Sequence, residues 1–110
     1  MMYYDFEAGN KAYKLRLNTR NIIELEKKIG CNPLSVFGDG STIPTVFTMV
    51  AILHSSLQQY QHNITINDAY DIFDEYLADG HSMTDFIPTI LEIYKVSGLV
   101  GKEVEQTEKN

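Results

Sequence analysis

With 110 residues, 44% of them hydrophobic and 22% charged, the chain has the size and composition of one globular domain that folds without disulfides or metal. Its single cysteine, Cys31, excludes an internal disulfide, and the longest apolar stretch, Val46 to Leu53, is broken by Thr48 and too short to span a bilayer. A net charge of −6 argues against nucleic acid as a partner, since cationic groups supply most of that affinity.

The N-terminus, Met-Met-Tyr-Tyr-Asp-Phe-Glu, has neither the basic nor the apolar region of a signal peptide, so a cytoplasmic location is expected. Residues 2–17 read as a β-hairpin turning at Gly9-Asn10, with Gly9 supplying positive φ. This register sets Phe6 opposite Tyr13, Tyr4 opposite Leu15 and Met2 opposite Leu17, making one face apolar. The other face pairs Asp5 with Lys14 and Tyr3 with Arg16. A slip of one residue would scramble both faces, so the pattern itself fixes the register.

A first helix is expected over 19–30, capped by Thr19 and ended by Gly30. Ile22, Leu25 and Ile29 form its inner stripe, with Ile23 beside them, and Glu24 can pair with Lys28. Asn32-Pro33 stops it, and Leu34, Val36 and Phe37 read as a short helical turn that plugs the core. Gly38 to Ser41 reads as a flexible loop tip. A second helix is expected over 44–60, with Val46, Val50, Leu53 and Leu57 inward and Phe47, Ala51 and His54 adjoining.

Thr65 and Asp68 form a variant capping box for a third helix over 66–79, which should bury Ala69, Tyr70, Phe73, Tyr76 and Leu77. Ser82 to Asp85 opens a fourth over 83–97, lined by Phe86, Ile90, Ile93, Tyr94 and Ser97. Pro88 lies too deep for a start at Met83, so the helix either begins near Asp85 or bends at Pro88. Ser97-Gly98-Leu99 resembles a Schellman ending. Residues 1–100 therefore form one α+β, mainly α domain, a hairpin with about four helices, and 101–110 a polar flexible tail.

Charge is unevenly placed. Residues 1–37 hold six basic and four acidic groups, net +2, and the remaining 73 hold three basic and eleven acidic, net −8. That asymmetry suits self-association or a partner of complementary charge. Candidate partner-binding residues are Tyr3, Arg16, Arg20, Lys27, Lys28, Tyr60, Asp68, Asp71 and Glu75. The acidic series from Asp68 to Asp79 lacks the spacing of a calcium loop and reads as a solvated helix face. His54, His62 and His81 have no zinc-ligand spacing, and Cys31 follows a helix C-terminus, where a thiolate is disfavoured. Asp39-Gly-Ser41 lacks the Asp-Ser-Leu attachment motif of acyl carriers. No catalytic, metal or cofactor site is assigned, and the chain reads as a non-enzyme.

The stretch Tyr13-Lys-Leu-Arg-Leu-Asn-Thr-Arg-Asn-Ile-Ile-Glu-Leu-Glu-Lys-Lys-Ile-Gly-Cys-Asn-Pro-Leu-Ser-Val-Phe37, with its strand, its charged helix end and its Asn-Pro-Leu step, resembles the tail assembly chaperones of long-tailed bacteriophages and prophages. The similarity covers about the first third of the chain. It implies a protein that binds the tape measure protein of a growing tail, keeps it soluble, helps recruit tail tube subunits and self-associates, all without a cofactor. It further implies residence in the host bacterial cytoplasm and absence from the mature virion. Many members of that family are also made in a longer, frameshifted form, whose extension would join here after Gly98. The alternative is a small cytoplasmic helical adaptor or regulator, an antitoxin-like or peptide-binding module. Gene neighbours separate the two.

Overall fold

The computed structural model describes residues 2–37 and 43–101. Among them, strands β1 (Tyr4–Ala8) and β2 (Lys11–Leu15) precede helices α1 (Thr19–Ile29), α2 (Val46–Leu57), α3 (Ile66–Ala78) and α4 (Phe86–Ser97), with a 3₁₀ turn at Pro33–Phe37. The architecture is α+β and mainly α, as the sequence implies. The loop tip at 38–41 and the polar tail from 102 onward lie outside the described residues.

The hairpin keeps the expected register, with Tyr4 opposite Leu15, Asp5 opposite Lys14 and Phe6 opposite Tyr13. Both turn residues, Gly9 (φ 59°) and Asn10 (φ 67°), are left-handed. That is the type I′ geometry whose twist matches the strands. The third apolar pair does not form. Beyond Leu15 the backbone leaves the hairpin: Arg16 N donates to the Ser56 carbonyl (3.0 Å) and Leu17 N to Ser97 Oγ (2.8 Å). Leu17 is thereby drawn into the core, and Met2 is left exposed. The outer edge of β2 is closed by one side chain. Gln61 Oε1 accepts from Lys14 N (2.8 Å) and its Nε2 donates to Lys14 O (3.0 Å), pairing like a missing strand.

The α1 cap sits one residue before the expected Thr19. Asn18 Oδ1 accepts from Asn21 N (2.9 Å), and Asn21 Oδ1 accepts in return from Asn18 N (3.3 Å). Thr19 would have Ile22 in the reciprocal position, which offers no acceptor, so the capping box selects Asn18. Leu25 is fully buried, Ile22 and Ile29 pack against the core, and Ile23 is exposed. In the 3₁₀ turn Pro33 is fully buried, whereas Leu34, expected to plug the core, is exposed. Phe37 instead meets Tyr94 edge-on at 5.9 Å. The Tyr94 hydroxyl donates to Pro33 O (2.8 Å), tying this turn to α4.

Helix α2 is the central element, packed against α1, α3, α4 and β2. It starts and ends inside the expected 44–60, because Thr45 caps it by accepting from Thr48 N (3.1 Å). Met49 through Leu53 and Ser55 through Leu57 are buried, so it is enclosed on nearly all sides from its second turn onward. At α3 the Thr65–Asp68 capping box is present in both directions. Ile72 is buried there, and Tyr70, expected inward, is exposed. Helix α4 begins at Phe86. Pro88 has no N–H for the Thr84 carbonyl, which accepts from Ile87 N at 3.2 Å instead. A tighter turn over 82–87 therefore replaces the first helical turn expected from Met83. Its far end is a Schellman motif, with Gly98 at φ 86° and Leu99 N donating to Tyr94 O (3.0 Å).

An aromatic cluster joins hairpin to helices. Phe86 is fully buried, with ring centroids 5.3 Å from Phe73, 5.8 Å from Tyr76 and 5.9 Å from Phe6.

Candidate functional site

Helix α3 carries chemistry on two sides. On one side Asp68, Asp71, Ile72 and Glu75 surround a depression completed by Lys11 and Tyr13 of the hairpin and by Ile64. The hairpin turn is held here: Gly9 N donates to Asp79 Oδ2 (2.9 Å), and a Cβ at Gly9 would stand 2.6 Å from Glu75 Oε1. Burial, reinforced by the Glu75 carboxylate, pushes the Tyr13 phenol above its ordinary pKa. The acidic trio thus lies beside Lys11 and Tyr13 of its own chain's hairpin.

On the other side, Tyr70, Phe73, Asp74 and Leu77 recur at i, i+3, i+4 and i+7 and so share one helix face. Together with Val46, Phe47 and Val50 of α2 and Met83 of the following turn they line a groove of about 410 Å³. Val50 and Phe73 are buried and form its floor. Its walls are open: Phe47 is 59% exposed, Tyr70 48%, Val46 44% and Met83 39%. Such a volume lies near the small end of ligand pockets, about 300–1,000 Å³, and suits a few side chains. Asp74 is the one charged group in the lining, and among the described residues its carboxylate makes no hydrogen bond or ion pair.

The other candidates from sequence divide into exposed and engaged groups. Arg20 and Lys27 lie on the exposed face of α1 beside Ile23, with Lys27 4.0 Å from Glu24. Lys28 does not pair with Glu24 as expected. Its ammonium donates to His54 Nδ1 (2.6 Å), and His54 Nε2 donates to Ile64 O (3.2 Å), which sets the ring's tautomer. Burial and then the Lys28 charge hold His54 below the ordinary histidine pKa, and burial lowers that of Lys28. Arg16 is half-buried, with Nε 3.4 Å from Val96 O and Nη1 3.4 Å from Gln59 Oε1. Tyr3, expected on the surface, is half-buried edge-on against Tyr60 at 5.4 Å and lies under the Lys14 ammonium at 5.0 Å. His81 stacks on Tyr76 at 4.2 Å, remote from His54 in sequence and in role. No group of three His, Cys, Asp or Glu side chains suited to a metal ion occurs among the described residues.

A family model matches residues 5–110, from within β1 to the end of the chain. The chain belongs to DUF6096, a family of unknown function. No curated protein and no solved structure matches it. The match to DUF6096 takes in the hairpin, all four helices and both sides of α3. No helix among the described residues is long and apolar enough to cross a membrane.

The groove residues escape a reading of sequence for a specific reason. Val46, Phe47 and Tyr70 are apolar at helical spacing, and such spacing marks a core stripe as readily as an open wall. The available signal was excess: α2 carries apolar residues on more faces than one packing stripe needs. Asp74 lies among four other carboxylates between Asp68 and Asp79, and sequence spacing does not say which of them turns toward α2.

Proposed function

We propose that this protein is a tail assembly chaperone, which binds the tape measure protein of a long-tailed phage or prophage, keeps it soluble and helps recruit tail tube subunits. The observation that carries the reading is the open apolar groove between α2 and α3. Solvent-exposed apolar side chains gathered at one place on a small domain mark an interaction surface. A tape measure protein is long and helical, and its apolar stripes self-aggregate when unpaired. Covering them calls for repeated modest contacts and no chemistry, so the reading needs no cofactor and no catalytic residue. Self-association belongs to the same reading and is supported by the +2/−8 division of charge. The resemblance of residues 13–37 to known chaperones of this kind supplies the identity of the partner. The proposed workplace is the host cytoplasm, with the protein absent from the finished particle.

Co-expression tests this directly. The tape measure protein encoded nearby should be largely insoluble alone and largely soluble together with this chain. Removing residues 102–110 should leave the gain intact, since Val104 is the one sizeable apolar side chain in that segment. A folded chain that brings no gain would favour the alternative, a helical adaptor whose groove takes a different peptide.

A further inference from the structure

We infer that the groove between α2 and α3 takes a basic amphipathic helix, one whose apolar stripe seats on Phe47, Tyr70 and Met83 and whose flanking lysine or arginine reaches Asp74. The inference rests on the chaperone reading and specifies the kind of segment that the protein selects.

Two observations fix the occupant. The first concerns its backbone. Every wall of the groove is a helix or the turn after one, and the β2 edge is already closed by Gln61. An extended peptide laid here would find no strand edge, and its backbone donors and acceptors would be desolvated without partners. A helix satisfies its own backbone and can present side chains at i, i+3, i+4 and i+7.

The second concerns charge. Between Lys28 and Lys95 the sequence contains no lysine or arginine, while the same stretch carries eight carboxylates. Both groove helices and the turn bearing Met83 fall inside it. Asp74 therefore has no cation of its own elements to meet, and among the described residues it has no partner. An apolar ligand settling beside it would strip water from an uncompensated carboxylate, which is costly unless the ligand brings a positive charge. The contrast with the opposite side of α3 is instructive, because there Lys11 of the hairpin stands among Asp68, Asp71 and Glu75.

Fluorescence anisotropy on the full-length chain tests the inference, with three labelled synthetic helices that share one leucine stripe and carry Lys, Gln or Glu beside it. The Lys helix should bind about tenfold more tightly than the Glu helix at low salt, with Gln between. Phe47→Ser should weaken all three, and because Phe47 is exposed the fold should survive, as a thermal melt would verify. Asp74→Asn should leave the Gln helix nearly unaffected while erasing the preference for Lys over Gln. Equal binding of Lys and Glu helices, or binding indifferent to Phe47→Ser, would overturn the inference. It would also be overturned if Phe47→Ser changed the sedimentation of the chain alone, because the occupant would then be a second copy. The outcomes separate from those of co-expression. A soluble tape measure without Lys preference defeats this inference alone, and Lys preference without a soluble tape measure defeats the chaperone reading while the groove chemistry stands.

Discussion

Phe6→Ala tests whether the hairpin is part of the core or an ornament upon it. Phe6 is buried to 4% exposure, with its ring 5.1 Å from Tyr76 and edge-on to Phe86 at 5.9 Å. Truncation removes that burial and leaves a void among aromatic rings too rigid to collapse into it, which puts the loss at about 3–5 kcal/mol. A domain of this length has a total stability of about 5–15 kcal/mol, so roughly a fifth or more of it is at stake. With a urea slope of about 1.5 kcal/mol/M, the unfolding midpoint should fall by about 2–3 M at unchanged slope. Tyr3→Ala is the internal control. Tyr3 has one aromatic neighbour and one cation over its ring, worth about 1–2 kcal/mol together. Urea titration followed by far-UV circular dichroism gives both numbers. Equal small losses would refute the argument, because they would mean that the α2–α4 core closes without the hairpin.

Tyr94→Phe should cost about 1–3 kcal/mol, since it leaves the Pro33 carbonyl buried without its donor. A loss confined to a few tenths in denaturant melts would mean that water replaces the hydroxyl. Thr65→Ala should cost about 0.5–2 kcal/mol by removing one half of the α3 capping box, and Thr65→Ser should recover most of it. His54 has a depressed pKa in the fold, so the folded state binds its proton less readily than the unfolded chain. Its contribution is complete above the ordinary value of 6.5 and is lost as pH falls below it. Melting temperatures at pH 7.5 and pH 5 should accordingly drop further for the native chain than for His54→Gln, and equal drops would contradict the Lys28–His54–Ile64 arrangement. Light scattering should find larger species at low salt than at high, where charges are screened within about 8–10 Å. A monomer at every salt and concentration would remove self-association from the proposed function.

What the sequence made legible was local. The strand register follows from a two-residue period and a turn signal, and the Thr65–Asp68 and Gly98 caps follow from residue types at fixed offsets. What it concealed depended on distant elements. Leu17 pairs with nothing on Met2 because Ser97, 80 residues away, takes its amide. Lys28 makes no close ion pair with Glu24, although it feels that charge, because packing of α1 on α2 brings His54 within 2.6 Å. The alternatives at Pro88 resolve through the Thr84 carbonyl, which Ile87 satisfies. Of the nine residues proposed from sequence as contacts, Lys28 and Arg16 are occupied within the chain, Tyr3 meets Tyr60, and Asp68, Asp71 and Glu75 border the hairpin. Arg20 and Lys27 remain on an exposed face. The groove appears only when α3 is laid against α2, and no periodicity within either helix announces it.

Mapping the complex would test the central claim most directly. A ¹⁵N-labelled chain titrated with a soluble helical fragment of the tape measure protein should show its largest amide shifts at Val46, Phe47, Tyr70, Asp74 and Met83, with the Lys11–Glu75 side of α3 little changed. Shifts concentrated on the exposed face of α1, or spread evenly with none at the groove, would contradict it.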